Sequence, residues 1–278
     1  MEAVKVVGGG LSGCEAALQL AARGTRVALW EMRPAVMTEA HTGGGLAELV
    51  CSNSFKSGET SRAQGLLKEE LRQLGSRLLA VADACSIPGG AALIVDREEF
   101  SRRVTAEVES SPGIAVNRGE YAGLEQDAES GETIILATGP LTSGGLWDQL
   151  CRIVGDDGAY FYDATSPIIS AASVDQSIAF SQSRYDKGGG DDYINCPFSK
   201  DEYLAFRDAL LGAEQYPLSP GDDYRLFEGC LPIEELAQRG EDTMRYGPLK
   251  PKGLTDPRSG RMPSVSYTHL RAHETKAN

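Results

Sequence analysis

The sequence predicts an α/β protein that opens on a Rossmann-like βαβ unit, and three observations carry the prediction. Val4-Lys5-Val6-Val7 is an apolar strand running into the turn Gly8-Gly9-Gly10-Leu11-Ser12-Gly13. A second strand, Arg26 to Trp30, closes on Glu31, and a later strand, Thr133 to Ala137, ends in Thr138-Gly139. Three glycines in a loop by themselves mean only a turn. With a strand before them, a helix after them and an acidic residue at the end of the next strand, they describe a dinucleotide cradle. Gly8 permits the tight turn, Gly10 lets the backbone approach a pyrophosphate, and Gly13 lets helix and strand pack closely. The amides that start the helix face the phosphate charge, and Glu31 is placed to take a ribose hydroxyl.

The remaining elements follow in order. A loop rich in Gly and Thr runs from Pro34 to about Leu46 and leads into Glu48-Leu49-Val50-Cys51-Ser52-Asn53-Ser54. Leu67, Leu71, Leu74 and Leu78 recur at helical spacing between charged residues, which predicts an amphipathic helix ending near Gly75 or a turn later. Ala91 to Val95 reads as a strand, Asp96 as the cap of a helix running to about Ser110, and Ile114 to Val116 as another strand. From about Gly155 the texture changes, with aromatics in Tyr160-Phe161-Tyr162 and a helix opening at Asp201 to Phe206. The shift predicts an inserted second domain.

At 278 residues the chain has room for about two domains. No apolar run approaches the length needed to span a bilayer, and the first strand begins without a basic, apolar leader, so a cytoplasmic location is expected. The six cysteines, at 14, 51, 85, 151, 196 and 230, form no Cys-x-x-Cys and read as reduced thiols. A formal charge of −13 weighs against a nucleic-acid partner, because such binding draws on Lys and Arg neutralising phosphates. Any contact of that kind needs a local basic surface. Arg184 to Lys187, Arg245 to Lys252, and Arg258 with Arg261 are the clusters available, and the bland reading of each is a solvated face.

The order of elements resembles the two-dinucleotide-binding-type flavoproteins, which favours FAD over NAD: a plain NAD domain would carry its second half directly after the first, without the long polar loop. Four segments sharpen the resemblance: Glu31-Met32-Arg33-Pro34, Leu49 to Ser54, Ser183-Arg184-Tyr185-Asp186-Lys187-Gly188, and Phe227-Glu228-Gly229-Cys230-Leu231-Pro232-Ile233-Glu234. Together with Ala137 to Ser143 they are similar to the folate- and FAD-dependent tRNA uracil-5-methyltransferases, from residue 3 to about 262. The implied fold is a two-dinucleotide-binding-type FAD domain at 1–155, interrupted by a second α/β domain at 156–262.

What the resemblance implies is methylation of the T-loop uridine of tRNA at carbon 5. Methylenetetrahydrofolate is the carbon donor, FAD reduced by NAD(P)H is carrier and reductant, and no metal or membrane is involved. Cys230 falls on the thiol that adds to uracil carbon 6, and Cys51 on the cysteine beside the flavin. Gly8, Gly10, Gly13, Glu31, Arg33, Thr138 and Gly139 fall on the cofactor site, and Arg184, Tyr185 and Lys187 on a segment facing substrate.

The chemistry supports a thiol, since uracil carbon 5 becomes nucleophilic only after addition at carbon 6, and the thiolate is the reactive form. Ser52-Asn53-Ser54 suits turns and helix amino termini, and the amides of a helix terminus there would favour a Cys51 thiolate. Glu228 near Cys230 would either oppose ionisation or act as a base. The bland reading of either cysteine is a small buried hydrophobe. The alternatives are a related flavin- and folate-dependent enzyme acting on the wobble uridine, a more distant FAD-dependent reductase, and a non-catalytic nucleotide-binding fragment.

After Gly260-Arg261-Met262-Pro263 the pattern breaks, and residues 263–278 read as a foreign tail on a chain cut short of its returning FAD-binding segment. His269 and His273 have metal-ligand spacing for a helix, but His-Glu-x-x-His is missing and no third ligand is apparent.

Overall fold

The leading apolar run forms β1 (Val4–Val7), and the glycine turn feeds α1 (Leu11–Ala22), which returns the chain to β2 (Val27–Glu31). This is seen in a computed structural model describing residues 3–38, 40–50, 52–155, 170–188, 190–214 and 233–270. The chain divides into two units, Met1–Ser86 with Leu93–Phe161, and Ile87–Ala92 with Tyr162–Asn278.

Along the chain the elements after β2 are β3 (Ser54–Ser57), α2 (Ala63–Gln73), α3 (Arg77–Ala84), β4 (Ser86–Ile87), β5 (Ala92–Val95), α4 (Arg97–Ser110), β6 (Ile114–Arg118), α5 (Leu124–Ser130), β7 (Ile134–Leu136) and α6 (Gly144–Val154). The main sheet is parallel with order β6-β2-β1-β7. Strand order therefore reverses at β1, and the crevice beyond the carboxyl ends of β1 and β7 is where an open α/β sheet takes its ligand. Val6, Leu29, Cys14 and Ala17 are fully buried between this sheet and α1.

Helix α4 shows how sequence sets position. The Asp96 carboxylate accepts the Glu99 amide at 3.0 Å, and Phe100, Val104 and Val108, spaced by four, put one face into the core. Each such side chain contributes about 1.5–3 kcal/mol relative to exposure. Glu15 on α1 accepts the Ser76 hydroxyl and the Arg77 and Leu78 amides, so one carboxylate fastens the start of α3 to α1.

Two local expectations are corrected. The leucine repeat is not one buried stripe: Gly75, at φ 77°, separates α2 from α3, and Leu67, Leu71 and Leu74 are 55%, 37% and 73% exposed. Helix α2 is turned so that Gly65 and Lys68 face inward. A Cβ on Gly65 would lie 1.9 Å from the Glu59 carbonyl oxygen, and the Lys68 ammonium donates to the carbonyls of Phe55 and Gln64 at 2.7 and 2.8 Å. Ser52-Asn53-Ser54 does not begin a helix. Ser54 opens β3, and the Asn53 side chain donates to the Val95 carbonyl at 3.1 Å while the Asn53 backbone carbonyl accepts the Val95 amide at 3.0 Å, so the polar run serves strand pairing.

The second unit carries β8 (Phe180–Ser181), β9 (Tyr193–Phe198), α7 (Lys200–Gly212), α8 (Ile233–Gln238), α9 (Glu241–Tyr246) and β10 (Val265–Leu270). Its sheet is antiparallel with order β10-β9-β8. A capping box between Ser199 and Glu202 starts α7, and Tyr203, Met244, Leu249 and Val265 form the buried cluster. The residues read as a tail thus begin with a strand paired to β9 from Val265 opposite Phe198 to Leu270 opposite Tyr193. The aromatic run 160–162 lies outside the described residues.

Candidate functional site

The carboxyl ends of β1, β2, β6 and β7 border a cleft in the first unit that opens to solvent, about 560 Å3 with its open mouth included. Gly8 leaves β1 at φ 106°, and a Cβ there would lie 2.4 Å from the Ala137 carbonyl oxygen at the end of β7. A Cβ on Gly13 would lie 1.8 Å from the Gly8 carbonyl oxygen. Both glycines are therefore consumed by packing. Gly10 is different: nothing lies within 4 Å of a Cβ placed on it, and it stands in the cleft wall as the amino-terminal cap of α1, where no side chain bonds the first amides.

Glu31 forms the second wall. One carboxylate oxygen accepts the Gly9 amide at 2.9 Å, and the other accepts the Arg33 amide at 3.0 Å and Nε at 2.9 Å. Three donors on a group with about four acceptor sites leave room for one more hydrogen bond. Burial pushes the Glu31 carboxyl up, but the Arg33 bonds and the Gly9 amide outweigh it and hold the group below the usual carboxylate range.

Arg33 is buried and shared. Its Nη1 donates to Glu48 at 2.7 Å, and Glu48 in turn accepts the Thr42 amide and hydroxyl at 2.9 and 3.0 Å. The Arg118 guanidinium donates to the Gly44 carbonyl at 2.7 Å. These bonds draw the polar loop after β2 over the cleft, so Arg33 lines it while also acting as the loop's anchor.

On the β7 side the Thr142 hydroxyl donates to the Thr138 hydroxyl at 2.7 Å and lies 2.8 Å from the Gly139 carbonyl, and Gly139 sits at φ 64°. Thr138 lines the cleft with Ser143 and Leu146, so two distant sequence segments meet across β1. Cys14 lies beneath the turn, its thiol 3.2 Å from the Gly9 carbonyl; burial first and the Glu31 charge second push its pKa up to about 12. It is a packing thiol.

Arg184, Tyr185 and Lys187 share one loop of the second unit. Tyr185 and Asp186 both adopt positive φ, 58° and 53°, and the Tyr185 amide donates to the Gly253 carbonyl at 2.9 Å, leaving the side chain 60% exposed. The other basic clusters include paired residues: Arg258 bonds Asp256 at 2.9 Å, and Arg245 bonds Asp242 at 3.2 Å. Cys51 and Cys230 lie outside the described residues. The helix terminus expected to activate Cys51 is replaced by β3. His269 stands on a strand rather than a helix, and among the described residues no three His, Cys, Asp or Glu are grouped to hold a metal. No helix among them is long and apolar enough to cross a membrane.

Sequence reasoning missed His41, Glu48 and Tyr121. His41 and Tyr121 line the cleft and Glu48 anchors its loop. The first two sit in a loop with no periodicity, and Tyr121 follows β6 as an isolated aromatic.

The family described as Glucose inhibited division protein A matches residues 3–263. The methylenetetrahydrofolate–tRNA-(uracil-5-)-methyltransferase TrmFO of Geobacter sulfurreducens is 52% identical over 270 residues, 97% of this chain and 61% of that protein. The Moorella thermoacetica protein of the same name is 51% identical over 94% of this chain and 58% of its own length. That of Prochlorococcus marinus is 53% identical over 92% of this chain and 70% of its own. A structure of Aquifex aeolicus GidA in its form II crystal gives a TM-score of 0.35 at 19% identity, covering 43% of this chain and 20% of that one. The chain thus spans about three-fifths of the length of the first two of these relatives. With its match across residues 3–263 and its cover of the Prochlorococcus relative, the chain belongs to the glucose inhibited division protein A family, alongside the TrmFO proteins.

Proposed function

We propose that this chain is the flavin-holding portion of a tRNA uracil-5-methyltransferase. The observation that carries the reading is the cleft at the strand-order reversal: Gly10 presents bare backbone to it at the start of a helix, and Glu31 retains an acceptor for a ribose hydroxyl. FAD fits this donor set. Gly8, Gly10 and Gly13 shape the pyrophosphate approach, Glu31 takes the ribose, Thr138 and Gly139 border the opposite wall, and Arg33 holds the covering loop in place.

When bound, reduced FAD supplies the carrier and reductant chemistry for a carbon drawn from methylenetetrahydrofolate, with NAD(P)H as the source of electrons. Cys230 is the thiol that adds to carbon 6 of the uracil and makes carbon 5 nucleophilic; Cys51 is the cysteine of the flavin side. Arg184, Tyr185 and Lys187 face the tRNA, and the protein works in the cytoplasm. The names of relatives about half identical to this chain favour the uracil-5 reaction over the wobble-uridine alternative.

The test is the colour of the purified chain after incubation with FAD. A bound flavin absorbs at about 370 and 450 nm, and a colourless protein overturns the reading. For the reaction, Cys230→Ala in a version extended with the carboxyl part of a relative abolishes methyl transfer to tRNA and leaves FAD content unchanged; retained turnover removes Cys230 from its role.

A further inference from the structure

Two loops of the second unit, far apart in the chain, meet at Tyr185. The Tyr185 amide donates to the Gly253 carbonyl at 2.9 Å. Gln182 ties the same loops again, accepting the Thr255 amide at 2.8 Å and donating to the Asp186 carboxylate at 3.0 Å. A Cβ placed on Gly253 would lie 2.9, 2.9 and 3.0 Å from Cδ2, Cε2 and Cε1 of the Tyr185 ring. Near-equal distances to carbons on both sides of the ring put that point over its flat, not beside its edge. Gly253 therefore covers one face of the ring at a distance that only a hydrogen allows, and the side chain is still 60% exposed. The second face is open.

The backbone is held against its preference to keep the ring there. Tyr185 and Asp186 both sit at positive φ, a region that residues with a Cβ populate sparsely, and such strain gathers at ligand clamps. Cations surround the ring from both loops. Arg184 precedes it, and Lys250 and Lys252, both exposed, belong to the loop of Gly253. Of the acids on these loops, Asp186 is bonded by Gln182 and Asp256 by Arg258. The two basic stretches that read separately as solvated faces thus converge on one open aromatic face. Aromatic faces set among cations are how proteins take hold of unpaired nucleotides: the base stacks, and the charges follow the phosphates. Resting on the tRNA reading of this loop, we infer that Tyr185 is a stacking platform for an unpaired base of the RNA, with Arg184, Lys250 and Lys252 holding the phosphates beside it. Gly253 is the backing that keeps the platform flat.

Fluorescence anisotropy of the 278-residue chain with a labelled, unmodified tRNA transcript and with an RNA duplex of equal length tests this. Tyr185→Leu, which fills the space over Gly253 but has no aromatic face, binds the tRNA at least about fivefold more weakly. Tyr185→Phe stays within about twofold of wild type, since the face is kept and only the hydroxyl is lost. Neither variant changes duplex binding, and neither changes the slope of affinity against salt. Lys252→Ala weakens both RNAs and lowers that slope by about one phosphate contact. A leucine variant equal to wild type, a loss shared equally by the duplex, or a phenylalanine variant as weak as leucine overturns the stacking role and leaves the tRNA reading in place. A wild-type chain that binds no tRNA overturns both. Circular dichroism and FAD content of each variant separate a lost fold from a lost contact.

Discussion

The Gly9 amide lies 2.9 Å from a carboxylate oxygen of Glu31, and through this bond the glycine turn is closed onto the end of the second strand. The same carboxylate holds Arg33, which holds Glu48, so the turn, the strand end and the loop after it form one polar assembly. A group in that position shapes the cleft before any ligand contributes.

Glu31→Gln keeps the size of the side chain and removes its charge. FAD affinity falls by more than about tenfold, because an amide cannot accept from Gly9, Arg33 and a ribose together. The variant also has a distinct acid response. Glu31 titrates below its ordinary value in the folded protein, so its contribution to stability is present above the unfolded value of about 4.3 and is lost as pH falls through the lower folded value. Thermal melts from pH 5 down to 3 therefore show a smaller drop in Tm for Glu31→Gln than for wild type. Equal drops would show that this carboxylate is not a determinant of acid stability.

Two of the motif glycines, Gly13 and Gly10, separate by outcome. Gly13→Ala meets the Gly8 carbonyl and costs about 3 kcal/mol, or roughly 6 to 12 °C in Tm. Gly10→Val, whose Cβ has nothing within 4 Å, melts within about 3 °C of wild type yet retains no flavin. Normal FAD content in the valine variant would remove the pyrophosphate from this turn.

On α2 the expected sign of substitution is inverted relative to the apolar pattern. Leu67→Gln and Leu71→Gln change stability by less than about 0.5 kcal/mol, since both side chains already face water. Lys68→Ala costs about 1–3 kcal/mol, because the carbonyls of Phe55 and Gln64 lose a charged donor and the stem leaves a gap. Urea titration of the three variants gives the comparison directly.

Cys14 stays unmodified by iodoacetamide at pH 8 in the native chain and reacts after denaturation, because a thiol raised to about 12 presents almost no thiolate. Peptide mapping of the alkylated cysteines reads this out. Labelling of native Cys14 would mean that the glycine turn opens readily.

The βαβ unit could be read from residues alone because its constraints are local: a strand, a turn with no room for a Cβ at Gly8 or Gly13, and an acid at the next strand end all fall within residues 4–31. The Asp96 cap was equally legible, since its partner amide is three residues away. The leucine repeat misled because helical spacing reports a stripe, while the Gly65 contact with Glu59 decides which stripe turns inward. Ser52 to Ser54 misled for the same kind of reason: residues that suit a helix cap also suit a strand edge, and Val95, more than forty positions away, settles the choice. Glu48 and His41 were invisible because their importance comes from a loop folded back on Arg33, with no periodic trace in the chain.

Asn195 gives the second unit's sheet a memory of its own alignment. The side chain is fully enclosed, donating to the Gln182 carbonyl at 2.8 Å and accepting from the Thr268 hydroxyl at 2.9 Å. Sliding β10 by a single residue would swing Thr268 to the opposite face and strand an amide oxygen away from water, a penalty of about 1–3 kcal/mol. One polar side chain therefore selects a single pairing from the several that the hydrophobic residues around it would tolerate.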